Sequence, residues 1–290
     1  MLLTLTANCL RSKLSLPSPK GKGGRASTQT GGETMALNDL PRFTRDQLGL
    51  FGLNISTSLL VGADLARLDG LREAADKSSC PCLVLTESEP QDFGQMDDDA
   101  GDAVVDRVIR VVRAAHRLGC NSVGVTLIGE DNEDVFDNSV ERLRNVLAVA
   151  ERLEVNILIA SGKVLTQDPE RLTELIKRVG GFRIGTFPDF ETASKATDPL
   201  VHLRRLSPYA SAITASTVSF KPGKKPDTFE HEPYSLAEYV KTVTAVGYQG
   251  TLSIDYRGDG DVVKGVERTK AALESLLGTD KSEAPLPEEE

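Results

Sequence analysis

The stretch Ser122–Ala160, SVGVTLIGEDNEDVFDNSVERLRNVLAVAERLEVNILIA, decides how the chain is read. It opens and closes on short β-rich apolar runs, Ser122–Ile128 and Asn156–Ala160. Between them Val140, Leu143, Val146, Leu147 and Val149 recur at helical spacing and make one apolar stripe. Strand, amphipathic helix and strand in that order form a parallel β/α unit, because two parallel strands need a crossover and a helix supplies it.

The same alternation extends outward in both directions. Further strand-like runs stand at Leu50–Ser56, Cys82–Thr86, Phe182–Phe187, Ala212–Val218 and Thr251–Tyr256. A second stripe, Val104, Val105, Val108, Val111, Val112 and Ala115, predicts a helix. Helix stops are written as Leu118-Gly119, Val179-Gly180-Gly181 and Val246-Gly247. We read near-continuous apolar strands covered by helices on one side, the pattern of a closed (β/α)8 TIM barrel, and no GxGxxG turn advertises an open doubly wound sheet. The first strand is the gap. Leu40–Gly49 reads as a helix, so that strand comes from the weakly patterned leader, as an atypical strand, or is missing.

Residues 1–34, with Leu2, Leu3 and Leu5 followed by Lys13, Lys20, Lys22 and Arg25 among Ser, Gly, Pro and Thr, read as a disordered leader or a start assigned too early. On that reading the barrel domain spans 35–278, and removing 1–34 leaves its stability unchanged. The Pro- and Glu-rich stretch 279–290 reads as a solvated acidic tail.

Composition narrows the function classes. With 34 Lys and Arg against 43 Asp and Glu, the net charge of -9 repels a nucleic-acid backbone, and no apolar stretch is long enough for a membrane span. The four cysteines, Cys9, Cys80, Cys82 and Cys120, form no CxxC pair and read as reduced thiols of a cytoplasmic protein. Neither G-x-S-x-G nor a P-loop occurs.

In a barrel, chemistry sits at the carboxyl ends of the strands. Those ends read Thr86-Glu87-Ser88-Glu89, Gly129-Glu130-Asp131, Ala160-Ser161-Gly162-Lys163, Pro188-Asp189-Phe190-Glu191, Ser216–Lys221 and Asp255-Tyr256-Arg257. Carboxylates that converge at a barrel mouth can hold a divalent cation or work as an acid and base pair. Glu130, Asp131 and Glu133 also suit the first turn of a following helix, where they meet the positive end of its dipole. Asp189 and Asp255 stand at the ends of apolar strands and are the stronger candidates. Of the histidines, His116 and His202 fall on helices, and only His231, in a loop between Glu230 and Glu232, has a route to a pocket. The loop Lys221-Pro222-Gly223-Lys224-Lys225 offers positive charge to a substrate anion.

Phe182-Arg183-Ile184-Gly185-Thr186-Phe187-Pro188-Asp189-Phe190, Leu206-Ser207-Pro208-Tyr209-Ala210 and Ala245–Tyr256 together resemble the sugar-phosphate isomerase/epimerase family of xylose isomerase-like TIM barrels. The most specific part is Gly247-Tyr248-Gln249-Gly250 before a strand ending in an acid, then Gly265-Val266-Glu267-Arg268-Thr269. The resemblance implies a divalent metal (Mg, Mn or Zn) held by Glu, Asp, His and Glu from four strand ends, with carboxylates moving a proton between neighbouring carbons of a sugar. Carried over residue by residue, the first Glu falls on Ala160, the Asp on Asp189, the His on Thr214 and the last Glu on Asp255, while a nearby Lys falls on Ser216. Two ligands are thus replaced. The resemblance implies Asp189 and Asp255 as catalytic and metal-holding residues, and it adds Thr214 and Ser216 to the pocket residues that the strand ends and loops themselves suggest, Glu87, Glu130, Lys163, Glu191, Lys221, His231 and Arg257. The expected function is an isomerase/epimerase-like barrel with a degenerate metal site that acts on or binds a carbohydrate-like small molecule. The alternative is a non-catalytic barrel that binds a ligand or a protein.

Overall fold

A computed structural model describes residues 1–16, 34–162, 164–223 and 229–278 of the chain. Eight parallel strands form one sheet: β1 (Leu2–Thr6), β2 (Leu53–Ser56), β3 (Cys82–Thr86), β4 (Ser122–Thr126), β5 (Asn156–Ala160), β6 (Ile184–Phe187), β7 (Ala212–Thr217) and, after a hairpin, β10 (Thr251–Tyr256). Their order is β6-β5-β4-β3-β2-β1-β10-β7. The two outer strands meet through isolated parallel bridges, Thr186 with Ala210 and Asp189 with Thr214, which curl the sheet into a TIM barrel. Gly185 stands at that seam. A Cβ there would lie 2.3 Å from the Tyr209 carbonyl oxygen, so no larger residue permits the approach.

The crossover helices are α1 (Leu40–Asp46), α2 (Leu65–Lys77), α3 (Asp98–Leu118), α4 (Glu133–Arg152), α5 (Pro169–Val179), α6 (Phe190–Ser194), α7 (Pro199–Leu206), α8 (Leu236–Ala245) and α9 (Val262–Leu277). The sequence stripes are the buried faces: Val108, Val111 and Val112 of α3, and Leu143, Val146 and Leu147 of α4, all join the main core. Each α3 and α4 N-terminus is capped locally, Asp97 accepting from the Ala100 N–H and Asn132 from that of Val135.

The leader expectation is corrected for its first sixteen residues. Leu2–Thr6 is the first strand, hydrogen-bonded between β10 and β2, with the register Leu2 to Thr251 and Thr6 to Asn54. The physical reason lies in the alternation Leu-Thr-Leu-Thr. Leu3 and Leu5 are 7% and 0% exposed against the helices, a burial worth about 1.5–3 kcal/mol each. A 3-10 helix, Ala7–Lys13, follows, and Leu14 bridges Met35. The expectations for 17–33 and for the acidic tail 279–290 lie outside the described residues.

The strands are not near-continuous apolar runs as expected. They alternate, apolar toward the helices and largely polar toward the barrel axis, so Thr4, Ser253 and Thr214 are register neighbours on the inner face. A small interior cluster, Val84, Leu158, Phe187 and Ala212, fills the inside. Cys80, Cys82 and Cys120 are buried free thiols, and burial pushes Cys80 up to about 11 and Cys82 up to about 12. No described helix is long and apolar enough to cross a membrane.

Candidate functional site

Parallel strands place all their carboxyl ends at one rim, and there a cleft of about 310 Å³ opens. Thr6 ends β1 and Asn8 follows it, Asn54 and Ser56 lie on β2, Glu87 follows β3, and Ala160 ends β5 with Ser161 after it. Phe187, Asp189, Thr214, Asp255 and Arg257 complete the wall on the side of β6, β7 and β10.

Arg257 organises that second side. It leaves β10 two residues after Asp255, and the two-residue period of an extended chain puts both side chains on one face. Its Nε donates to Asp255 Oδ2 at 2.8 Å, and the guanidinium lies 2.7 Å from the same carboxylate. From β6 the Asp189 carboxylate receives two parallel bonds, 2.6 Å to Oδ2 and 3.2 Å to Oδ1. Glu191 Oε2 takes a fourth at 2.8 Å, while its other oxygen pairs with Lys195 Nζ at 2.6 Å. A planar guanidinium suits such a set, since its forked donors match carboxylates in pairs.

The electrostatics follow. Burial raises the Asp255 carboxyl above the usual carboxylate range, and the adjacent Arg257 opposes the rise. Lys195 first, then Arg257, lowers Glu191. The Arg257 guanidinium is held charged by Asp189 and Asp255 against its own burial.

Asp189 has a second task as the N-cap of α6, where Oδ1 accepts from the Thr192 N–H at 2.8 Å and from the Ser216 hydroxyl at 3.1 Å. The Ser216 hydroxyl in turn receives the Glu191 N–H at 2.8 Å. Ser216 therefore supports the acidic cluster from behind, and Thr214 lines the cleft. Across the opening, Glu87 is fully engaged: it accepts from Thr57 Oγ1 at 3.1 Å, from the Glu89 N–H at 3.1 Å and from Arg107 at 2.8 Å.

Other expected site residues lie elsewhere. Glu130 is an exposed residue before α4 that accepts from Asn132, and Asp131 and Glu133 pair with Arg171, so this acidic run serves the helix start. His231 is not in a loop. It stands on β9 (Phe229–Glu232), paired with β8 (Ser219–Pro222), and its Nε2 accepts from the Val218 N–H while Nδ1 meets the Tyr234 carbonyl oxygen. It anchors the hairpin and does not line the cleft. Lys221 is spent on Glu232 at 2.6 Å. Lys163, Lys224 and Lys225 lie outside the described residues.

Sequence reasoning placed Arg257 in the pocket but missed that it joins Asp189, Glu191 and Asp255, and it missed Thr6, Asn8, Asn54 and Ser56. The strand period gave a signal for Arg257, since an acid and a base two residues apart at a strand end share a face. The sequence leaves open that the leader supplies the missing first strand, but it marks no residue there for the pocket.

The family model described as xylose isomerase-like TIM barrel matches residues 47–278. No curated protein matches the sequence. Among solved structures, one titled L-ribulose 3-epimerase superposes with a TM-score of 0.70 at 15% identity, over 88% of this chain and 94% of its own. An IOLI protein with a bound zinc atom gives 0.72 at 13% identity, over 96% and 99%. A xylose isomerase-like TIM barrel protein from Mycobacterium smegmatis in complex with magnesium gives 0.63 at 14%, over 83% and 88%. At these identities the likeness is one of fold.

Proposed function

We propose that this chain, which belongs to the xylose isomerase-like TIM-barrel family, binds a carbohydrate-like small molecule at the mouth of its barrel without a divalent metal. Epimerases among its structural neighbours support the ligand class. The observation that carries the rest is Arg257. Its guanidinium lies between the two aspartates that would hold a metal and is already ion-paired with both.

The remaining donors do not fit a metal either. Position 160 offers a methyl group and position 214 a neutral hydroxyl, where the resemblance calls for a carboxylate and an imidazole. Among the described residues no three His, Cys, Asp or Glu side chains converge as a metal site would require. A metal entering here would have to displace a charge-assisted fork, which costs the pairing of every carboxylate it touches.

Inverting a sugar carbon by proton transfer needs an acid/base group on each face of that carbon, one to take the proton and one to return it. Asp255, with its raised carboxyl, is suited to one side. Glu87 faces it across the cleft but is bound by Arg107 and Thr57, which leaves Asp255 without a partner base. Binding is therefore the reading supported best.

The test is metal content of the purified full chain, with melting curves in Mn²⁺, Mg²⁺ and Zn²⁺, and sugar binding measured with and without EDTA. The expected result is no metal-dependent shift and binding of a free ketohexose that EDTA leaves unchanged. Arg257→Ala should lower stability by up to about 3 kcal/mol, below the loss from breaking a fully buried pair because the guanidinium is partly exposed. That variant should also gain a shift with millimolar Mn²⁺. Stoichiometric metal in the native chain, lost in Asp189→Ala, would overturn the reading.

A further inference from the structure

The β1 and β2 side of the cleft holds one side chain whose chemistry nothing in the fold uses. Asn54 faces the barrel interior, since its register neighbours are Thr6 on β1 and Val84 on β3, and Val84 belongs to the interior apolar cluster. It is 2% exposed and lines the cleft. Neither its carboxamide oxygen nor its nitrogen meets a hydrogen-bonding partner in the chain. Three polar residues that share the cleft wall with it are engaged elsewhere: Thr6 with Ser253 at 2.8 Å, Ser56 with Ser58 at 3.0 Å, and Glu87 with Arg107. A buried amide with both ends unpaired is costly, and folded proteins rarely keep one that no partner ever satisfies.

We infer that Asn54 is the ligand-recognition residue of this cleft, and that its ligand is an uncharged polyol presenting adjacent hydroxyl groups. The inference rests on the proposed ligand-binding reading of the cleft. A carboxamide offers an acceptor oxygen and a donor nitrogen side by side, and a hydroxyl both donates and accepts. Two neighbouring hydroxyls of a sugar therefore satisfy both ends of Asn54 together, directly or through one bridging water at the cleft floor. Adding the ligand removes an existing penalty as well as making new bonds, so the amide gives a large preference for a hydroxyl over a hydrogen at that position.

The charge of the ligand follows from the opposite wall. Among the described residues lining the cleft, Arg257 is the one cation, and it is shared by Asp189, Asp255 and Glu191. A phosphate arriving at this mouth would meet committed positive charge and the carboxylates of Asp255 and Glu87. An uncharged sugar meets no such opposition.

The experiment is calorimetric titration of the full chain with free D-fructose, D-psicose and D-tagatose, and with D-fructose 6-phosphate. It is repeated on Asn54→Leu and Asn54→Ser, with melting curves for each protein. The expected result is that the native chain binds a free ketohexose at least tenfold more tightly than the phosphate. Asn54→Leu should lose at least tenfold in affinity while melting no lower than the native chain, because leucine of similar size leaves no orphaned amide. The smaller Asn54→Ser should lose affinity likewise.

Equal sugar affinity in the native chain and Asn54→Leu overturns the role of Asn54 and leaves the ligand-binding cleft standing. A marked fall in melting temperature in both variants assigns Asn54 a structural task and overturns the inference. Tighter binding of the phosphate overturns the charge class. Absence of any sugar binding to the native chain overturns the cleft reading itself, and the inference with it.

Discussion

The outward and inward faces of the same eight strands make opposite use of their residues. Outward, Leu5, Ile55, Leu85, Val125, Ile159 and Ile254 are all 0% exposed and belong to the main core under the helices. Inward, the matching positions carry Thr4, Asn54, Ser56, Thr214, Ser253 and Asp255. One face is a close-packed apolar layer in which every methylene counts. The other is a lined tube whose polar groups are partly paired with each other and partly orphaned, above a four-residue apolar cluster. Close apolar packing and the polar lining of the cleft are thus separated by one step along each strand, because successive side chains point to opposite faces.

The largest expected effect breaks the outer layer. Deleting residues 1–6 removes Leu3 and Leu5 from under the helices and strips β2 and β10 of the strand between them. The lost burial and ladder bonds exceed about 5 kcal/mol, comparable to the whole stability of many domains. We expect loss of cooperative melting and association through the bared edges, read by thermal denaturation and size-exclusion chromatography. A melting temperature within a few degrees of the native value would show that β1 contributes little, and the two-face description would then fail at its first strand.

How much of this was legible in the sequence follows from the same separation. The seven strand runs were found because the outward residues are apolar and β-branched, and the helices because their stripes are long. β1 stays open, to come from the leader or be missing, because Leu-Thr-Leu-Thr is short, lies before a Lys- and Gly-rich segment, and gains its meaning only from Thr251–Ile254 and Leu53 on either side. The site was half legible. Asp189 and Asp255 stood out as acids at strand ends, and they do meet in space. The sequence places the cation that joins them, Arg257, in the pocket without its pairing to either aspartate, since the partners of an arginine in a loop are set only in three dimensions. Asn54 was invisible for a different reason: its signature is the absence of a partner, which exists only in three dimensions.

A medium effect sharpens the outer side of the comparison. His202 on α7 is 2% exposed, and neither ring nitrogen has a hydrogen-bonding partner. Burial lowers its pKa, and the carboxylate of Asp168 only partly offsets this. His231 is lowered in the same direction by burial in the hairpin. A base whose folded value is depressed binds fewer protons in the native state than in the unfolded chain. Stability is therefore full above about 6.5 and falls as the pH drops from there toward the folded values, by at most about 1.4 kcal/mol per pH unit for one group. In urea melts between pH 7.5 and 5, His202→Leu should keep a shallower slope than the native chain. An unchanged slope would mean that the helix layer admits a proton at His202 without penalty.

The smallest effect tests the inner face where no ligand reaches. Thr4 lies two residues below Thr6 on β1, 0% exposed, and its hydroxyl has no partner in the chain. Unlike Asn54 it does not line the cleft. If the inner face keeps orphaned polar groups for recognition, Thr4 has no such return, and Thr4→Val should raise stability by up to about 1 kcal/mol while leaving sugar affinity unchanged. Valine fills the same volume, keeps the β-branched shape a strand favours and brings no hydroxyl to desolvate. A loss of stability in chemical denaturation would show that the Thr4 hydroxyl is satisfied by water inside the barrel. In that event the wet interior would extend below the cleft floor, and the boundary between recognition and packing would run deeper along β1 than its side chains alone suggest.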